Sequence, residues 1–128
     1  MHISSIDNYN RVKKSKKIFI TATGTDVGKT YISALIVKKI REVGLNCGYF
    51  KPVLSGVSEK DGQLIESDCN YVLKTANIKE SPQDCVVYWW REAVSPHLAA
   101  KRANESIDIN KIKKLFQKKQ NQYDYLLV

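Results

Sequence analysis

A short apolar run, Ile18-Phe19-Ile20, leads through a loop of small residues into Gly28-Lys29-Thr30, and helical periodicity follows at once. Strand, glycine turn, Gly-Lys-Thr and amphipathic helix, in that order, make up the context that a phosphate-binding loop requires. Glycine at position 28 lets the backbone approach phosphates closely, while the free N–H groups and the dipole of the helix N-terminus favour negative charge. Lys29 can then reach the β- and γ-phosphates of a nucleotide, and the Thr30 hydroxyl can ligate Mg²⁺. The loop departs from the strict G-x-x-x-x-G-K-[ST] spacing, because Thr23 stands where the first glycine falls and Gly24 follows it.

The rest of the chain alternates between the two periodicities. Ile32, Leu35, Ile36, Ile40 and Val43 mark the apolar face of a helix that Gly44 is placed to end. Cys47 to Phe50 reads as a second strand stopped by Pro52, so the first sixty residues hold a β-loop-α-β unit with a right-handed crossover. Val53 to Gln63 has the composition of a loop. A short helix is expected from Ser67 or Asp68 with Cys69, Val72, Leu73 and Ala76 on one face. Cys85 to Trp90 is β-rich, and Ser95-Pro96 pairs an N-cap with proline at the first helical position, opening a helix through Leu98, Ala99 and Ala100. Asp108 is placed to cap a further helix, with Ile107 and Ile112 as a hydrophobic staple and Leu115 and Phe116 along its apolar face. Tyr125 to Val128 reads as a buried strand. Strands alternating with helices predict an α/β fold, a mostly parallel sheet with helices on both faces, broken off after about the fourth strand. Residues 1–16 read as a flexible basic extension and 17–128 as an incomplete phosphate-loop domain.

Composition narrows the function classes. No apolar run approaches the roughly 20 residues of a membrane-spanning helix, and the first residues lack the apolar stretch of a secretory signal. Cys47, Cys69 and Cys85 have neither C-x-x-C spacing nor zinc-finger histidines, and read as reduced, structural thiols of a cytoplasmic protein. The net charge of +8 invites a polyanion reading. Its distribution argues against one: Lys13, Lys14, Lys16 and Lys17 precede the first strand, whereas Lys111, Lys113, Lys114, Lys118 and Lys119 lie on a separate helix, without interleaved aromatic stacking platforms. A solvated basic surface is the expectation, with no nucleic acid and no membrane as partner.

Four elements then carry a resemblance. Thr25-Asp26-Val27-Gly28-Lys29-Thr30, Gly48-Tyr49-Phe50-Lys51-Pro52-Val53-Leu54-Ser55-Gly56, Ser67-Asp68 and Ser95-Pro96-His97 stand in the order and approximate spacing of the dethiobiotin synthetase family. The chain resembles the N-terminal part of such a synthetase from Lys17 to Val128. Lys-Pro-Val-x-Ser-Gly after the second strand is the most discriminating piece, since generic phosphate-loop proteins have no need of it.

The resemblance implies a Mg-ATP-dependent ligase of biotin biosynthesis that joins CO₂ to 7,8-diaminopelargonic acid. Carbamate forms on one amine, its oxygen attacks the γ-phosphate, and the second amine closes the ureido ring of dethiobiotin on the mixed anhydride, leaving ADP and phosphate. Lys51 and Lys29 are the implied catalytic cations, gathering two anions. Asp26, Val27, Gly28, Lys29, Thr30, Tyr31 and Asp68 would bind ATP, Thr30 and Asp68 would hold Mg²⁺, and Thr25 and Ser55 would contact the diamine or carbamate. From the residues alone, Lys51 also reads as a surface lysine, Ser55 as a turn former and Asp68 as a helix N-cap. His97 is read as positional, and Trp89 and Trp90 as core or interface. A homodimer is implied for the full-length protein. The family's Glu-Gly-Ala-Gly-Gly element, with a further metal ligand, would follow Val128, so an inactive fragment is one expectation. A cobyrinic-acid-type amidoligase and a partition-type ATPase are the alternatives, and the second lacks its characteristic lysine at position 24.

Overall fold

The computed structural model describes residues 15–22 and 28–128. The expectations for the N-terminal extension up to residue 14, and for Thr25, Asp26 and Val27, lie outside the described residues.

Among the described residues, three strands form the principal sheet. Strand β1 (Lys16–Ile18) and β2 (Cys47–Tyr49) both pair in parallel with β7 (Tyr125–Leu127), giving the order β1-β7-β2. Consequently the loop after β1 and the segment after β2 emerge at the same edge of the sheet. They are separated by two strand spacings, about 10 Å, with Val128 between them. The ladder continues past the strand ends, from Ile20 N–H to the Val128 carbonyl and from Phe50 N–H to the Leu127 carbonyl.

Alternation along β7 decides how the layers build. Leu126 points to one face, where Phe50 and Tyr123 join Ile112, Leu115 and Phe116 of helix α4 (Ile109–Gln122). Leu127 points to the other, where the main core gathers Ala34 and Val37 of α1 (Lys29–Glu42) with Cys69, Val72 and Leu73 of α2 (Asp68–Thr75). The expected α/β architecture with helices on both faces is thus present.

Helix α1 sits differently from its sequence pattern. Ser33, Ala34 and Val37 are its buried positions, Ile36 and Ile40 are partly buried, and Ile32, Leu35 and Val43 remain exposed. Small residues at 33 and 34 let the helix approach the sheet and α2 closely, which rotates the larger aliphatic residues outward. Its end follows expectation: Gly44 has φ +87°, its N–H donates to the Arg41 carbonyl, and Leu45 N–H reaches Ile40. That pair of bonds is a Schellman cap.

Residues 53–66 are more ordered than their composition suggests. Strand β3 (Val53–Ser55) pairs in parallel with β6 (Tyr88–Trp90), and β4 (Ser58–Lys60) forms an antiparallel hairpin with β5 (Gln63–Glu66). Asp61 and Gly62, both at positive φ, make the two-residue turn. An Asp-Gly pair favours this turn because its twist matches that of the flanking strands. The expected strand from Cys85 is shorter, since Pro82–Cys85 is a 3₁₀ turn and β6 begins at Tyr88. Helix α3 (Pro96–Arg102) is capped by Ser95, whose Oγ accepts from Leu98 N–H, and α4 by Asp108, which accepts from Asn110 N–H. The expected staple is divided: Ile107 packs with Trp90, Ala99 and Ala100, while Ile112 joins the Phe50 cluster.

Candidate functional site

Helix α1 begins where the loop after β1 delivers Gly28. That residue has φ +83°, and a side chain there would meet nothing among the described residues. Backbone conformation rather than space is therefore what glycine provides. Lys29 and Tyr31 are exposed and Thr30 is half-buried in the first turn of the helix. A fourteen-residue helix with no acidic residue in its first turn keeps its terminal positive field available to an anion.

Lys51 leaves the same edge of the sheet. Its backbone is anchored, with its own N–H donating to the Cys85 carbonyl at 2.9 Å and the preceding Phe50 N–H to Leu127 at 2.8 Å. The side chain turns to α2, where its Nζ donates to Asp68 Oδ2 in an ion pair that remains partly open to solvent. Asp68 is the first residue of α2 rather than its cap. Ser67 is the N-cap, accepting from Asn70 N–H at 3.2 Å. The structure thus brings two of the expected site residues together at the C-terminal edge of a parallel sheet, where open α/β folds bind ligands.

Ser55 lies farther along, at the end of β3 opposite Trp90 and half-buried. It is a strand residue; the turn belongs to Gly56, at φ +70° with its N–H on the Glu92 carbonyl. His97 is exposed on α3. Trp89 and Trp90 each donate an indole N–H, to Glu59 and Glu105 respectively. Trp90 is buried and Trp89 half-buried, as core residues.

Cys47, Cys69 and Cys85 are free and buried. Burial pushes the Cys47 thiol up to about 11 and the Cys69 thiol up to about 12, so both stay protonated at neutral pH. No group of three or more His, Cys, Asp or Glu residues able to hold a metal occurs among the described residues. A Thr hydroxyl and one carboxylate still suit Mg²⁺, which keeps several waters and takes further oxygens from nucleotide phosphates.

One polar cluster escaped the pattern reading. Lys119, grouped by sequence with a solvated basic surface, is only 3% exposed and is paired with Glu80. Tyr123 Oη and Cys85 Sγ donate to the same carboxylate. Burial alone would raise the Glu80 pKa, but hydrogen bonds from Lys119, Tyr123 and Cys85 outweigh it and hold the group below its ordinary value. The Tyr123 ring in turn lies against Gly48 of β2: a Cβ at Gly48 would come within 2.3 Å of it.

A parallel sheet with a Gly-Lys-Thr helix start and a strand-end lysine at one edge defines a phosphate-loop α/β domain. Residues 16–128 match the family model described as an AAA domain, and the chain belongs to that family. It is also similar to proteins named ATP-dependent dethiobiotin synthetase BioD. One from Clostridium botulinum (strain ATCC 19397 / Type A) is 55% identical over 114 residues, 89% of this chain and 50% of the relative. One from strain 657 / Type Ba4 is 58% identical over 113 residues, 88% and 50% respectively. One from strain Eklund 17B / Type B is 51% identical over 114 residues. The chain spans about half the length of these curated relatives. No described helix is long and apolar enough to cross a membrane.

Proposed function

We propose that the protein is an ATP-dependent dethiobiotin synthetase, closing the ureido ring of 7,8-diaminopelargonic acid with CO₂ at the expense of ATP. Lys51 carries the reading. An ammonium on an anchored backbone, at the ligand-binding edge of the sheet and beside an acidic helix start, is what a reaction between two anions needs. The likeness to curated synthetases supports the choice of substrate.

In this scheme the first turn of α1 and Lys29 grip the nucleotide phosphates, aided by Asp26, Val27, Gly28, Thr30 and Tyr31. Asp68 and Thr30 would hold Mg²⁺, which neutralises charge on the phosphates. Thr25 and Ser55 contact the diamine. One amine nitrogen adds to CO₂ and loses a proton, giving the carbamate. The carbamate oxygen displaces ADP from the γ-phosphorus, with Lys51 offsetting the charge that accumulates between them. The second amine then attacks the carbonyl carbon, phosphate departs with the C–O electron pair, and a proton is released. Homodimerisation and a cytoplasmic location belong to the same proposal.

ADP and phosphate release should depend on both the diamine and bicarbonate. Turnover indifferent to the diamine would remove the reading in favour of a different phosphate-loop ATPase. Lys51→Ala should lower diamine-dependent turnover by about 100-fold or more while costing nucleotide affinity with Mg²⁺ no more than about tenfold. Near-normal turnover would reject Lys51 as the catalytic cation.

A further inference from the structure

We infer that Asp68 is a positioning residue for Lys51: it is the resident counter-ion of the ammonium in the nucleotide-free site and releases it when a divalent cation takes the carboxylate. The inference rests on the proposed function for the identity of the site, and it adds a sequence of events that the role of either residue alone does not contain.

The geometry argues for one movable arm between two fixed mounts. Lys51 is tied at its backbone by the Cys85 and Phe50–Leu127 hydrogen bonds, so only its four-carbon stem can swing. Asp68 is fixed by the Ser67 cap at the start of α2, and the helix N-terminus stabilises its negative charge whether or not Lys51 is present. The two side chains are 23% and 38% exposed, so changing partners does not require stripping water from a fully buried charge. Their contact uses Oδ2, one of the oxygens that a hard cation would need. An ammonium and a divalent cation repel each other at that carboxylate, and the ammonium is the one with somewhere else to go. Metal-loaded nucleotide would thereby meet a free Lys51, and metal-free nucleotide a neutralised one.

Equilibrium binding of ATP separates this from a passive salt bridge. In EDTA, Asp68→Asn should tighten ATP binding by about tenfold, the scale of one hydrogen bond from a charged donor. The gain should vanish when Lys51→Met is already present, because there is then no ammonium to liberate. With Mg²⁺ the same substitution should weaken binding, reversing the sign. Asp68→Ser, which keeps a residue suited to a helix start, should repeat the pattern and guards against a fold defect peculiar to one variant. Equal tightening with and without Lys51 would mean only a general loss of negative charge, and weakening in EDTA would mean that Asp68 helps bind metal-free nucleotide; either result overturns the inference. Neither measurement uses diamine or turnover, so this proposal and the synthetase reading can fail independently.

Discussion

Gly48 offers the sharpest test of the packing. A Cβ built there lies 2.3, 2.4 and 2.7 Å from three carbons of the Tyr123 ring, all far inside van der Waals contact. Ordinary relaxation is obstructed on both sides. Cys47, Gly48 and Tyr49 are in register with Tyr125, Leu126 and Leu127, so the strand cannot retreat without breaking the ladder. The ring is held at its far end by the Glu80 carboxylate, and the carbons struck include the one at its base. Gly48→Ala should therefore fall at or above the top of the usual overpacking range, about 3 kcal/mol. For a cooperative unit of this size that corresponds to a melting temperature lower by about 10 °C. Denaturant and thermal unfolding of the wild type, Gly48→Ala, Tyr123→Ala and the double variant form a cycle. Removing the ring should abolish most of the cost of the methyl group, making the pair strongly non-additive. A Gly48→Ala protein within about 0.5 kcal/mol of wild type, or additive effects in the cycle, would refute the close approach of Tyr123 to β2.

The buried pair Glu80–Lys119 makes a pH prediction. The folded state holds the Glu80 pKa below 4.5, so the unfolded state takes up the proton first as pH falls. Its stabilisation is complete above about pH 4.5 and is lost as pH drops through the folded value; the stability gap between wild type and Glu80→Gln should be about 3–5 kcal/mol near pH 7 and close on acidification, as read from denaturant midpoints. A gap that widens in acid would contradict the assignment. The thiols are testable directly. With Cys47 and Cys69 pushed up to about 11 and 12 and Cys85 raised further by burial beside Glu80, iodoacetamide at pH 8 should leave all three unmodified in the native protein and label all three in denaturant. Rapid native labelling of any one, seen by mass spectrometry, would show that its burial is wrong.

Local chemistry made much of the fold legible. Ser95, Asp108 and Gly44 announce helix ends because capping depends on one or two neighbouring residues. The alternation of strands with helices was likewise sufficient for the layered sheet. Harder to read was the inward face of α1, where Ile32, Leu35 and Val43 dominate the periodicity yet Ser33, Ala34 and Val37 are buried. Hydrophobicity alone does not register how closely small residues let a helix approach. The hairpin at 58–66 did have a signal, Asp61-Gly62, hidden by the polar composition around it. Lys51 and Asp68 were recognisable separately, but a separation of seventeen positions concealed that they form a pair. The burial of Lys119 depends on Glu80, 39 positions earlier, and no periodicity encodes such a partner.

The order β1-β7-β2 also constrains how the molecule can come into being. Its middle strand is the last of the three to leave the ribosome, more than seventy residues after β2. Until Tyr125–Leu127 arrive, the two flanking strands have no common neighbour to hydrogen-bond, and the Gly28 turn and Lys51 have no fixed separation. Contacts this distant along a chain are slow to form. During synthesis the nascent protein must keep both strands unpaired and then admit the third between them, a period in which chaperones and misassembly compete for the same exposed edges.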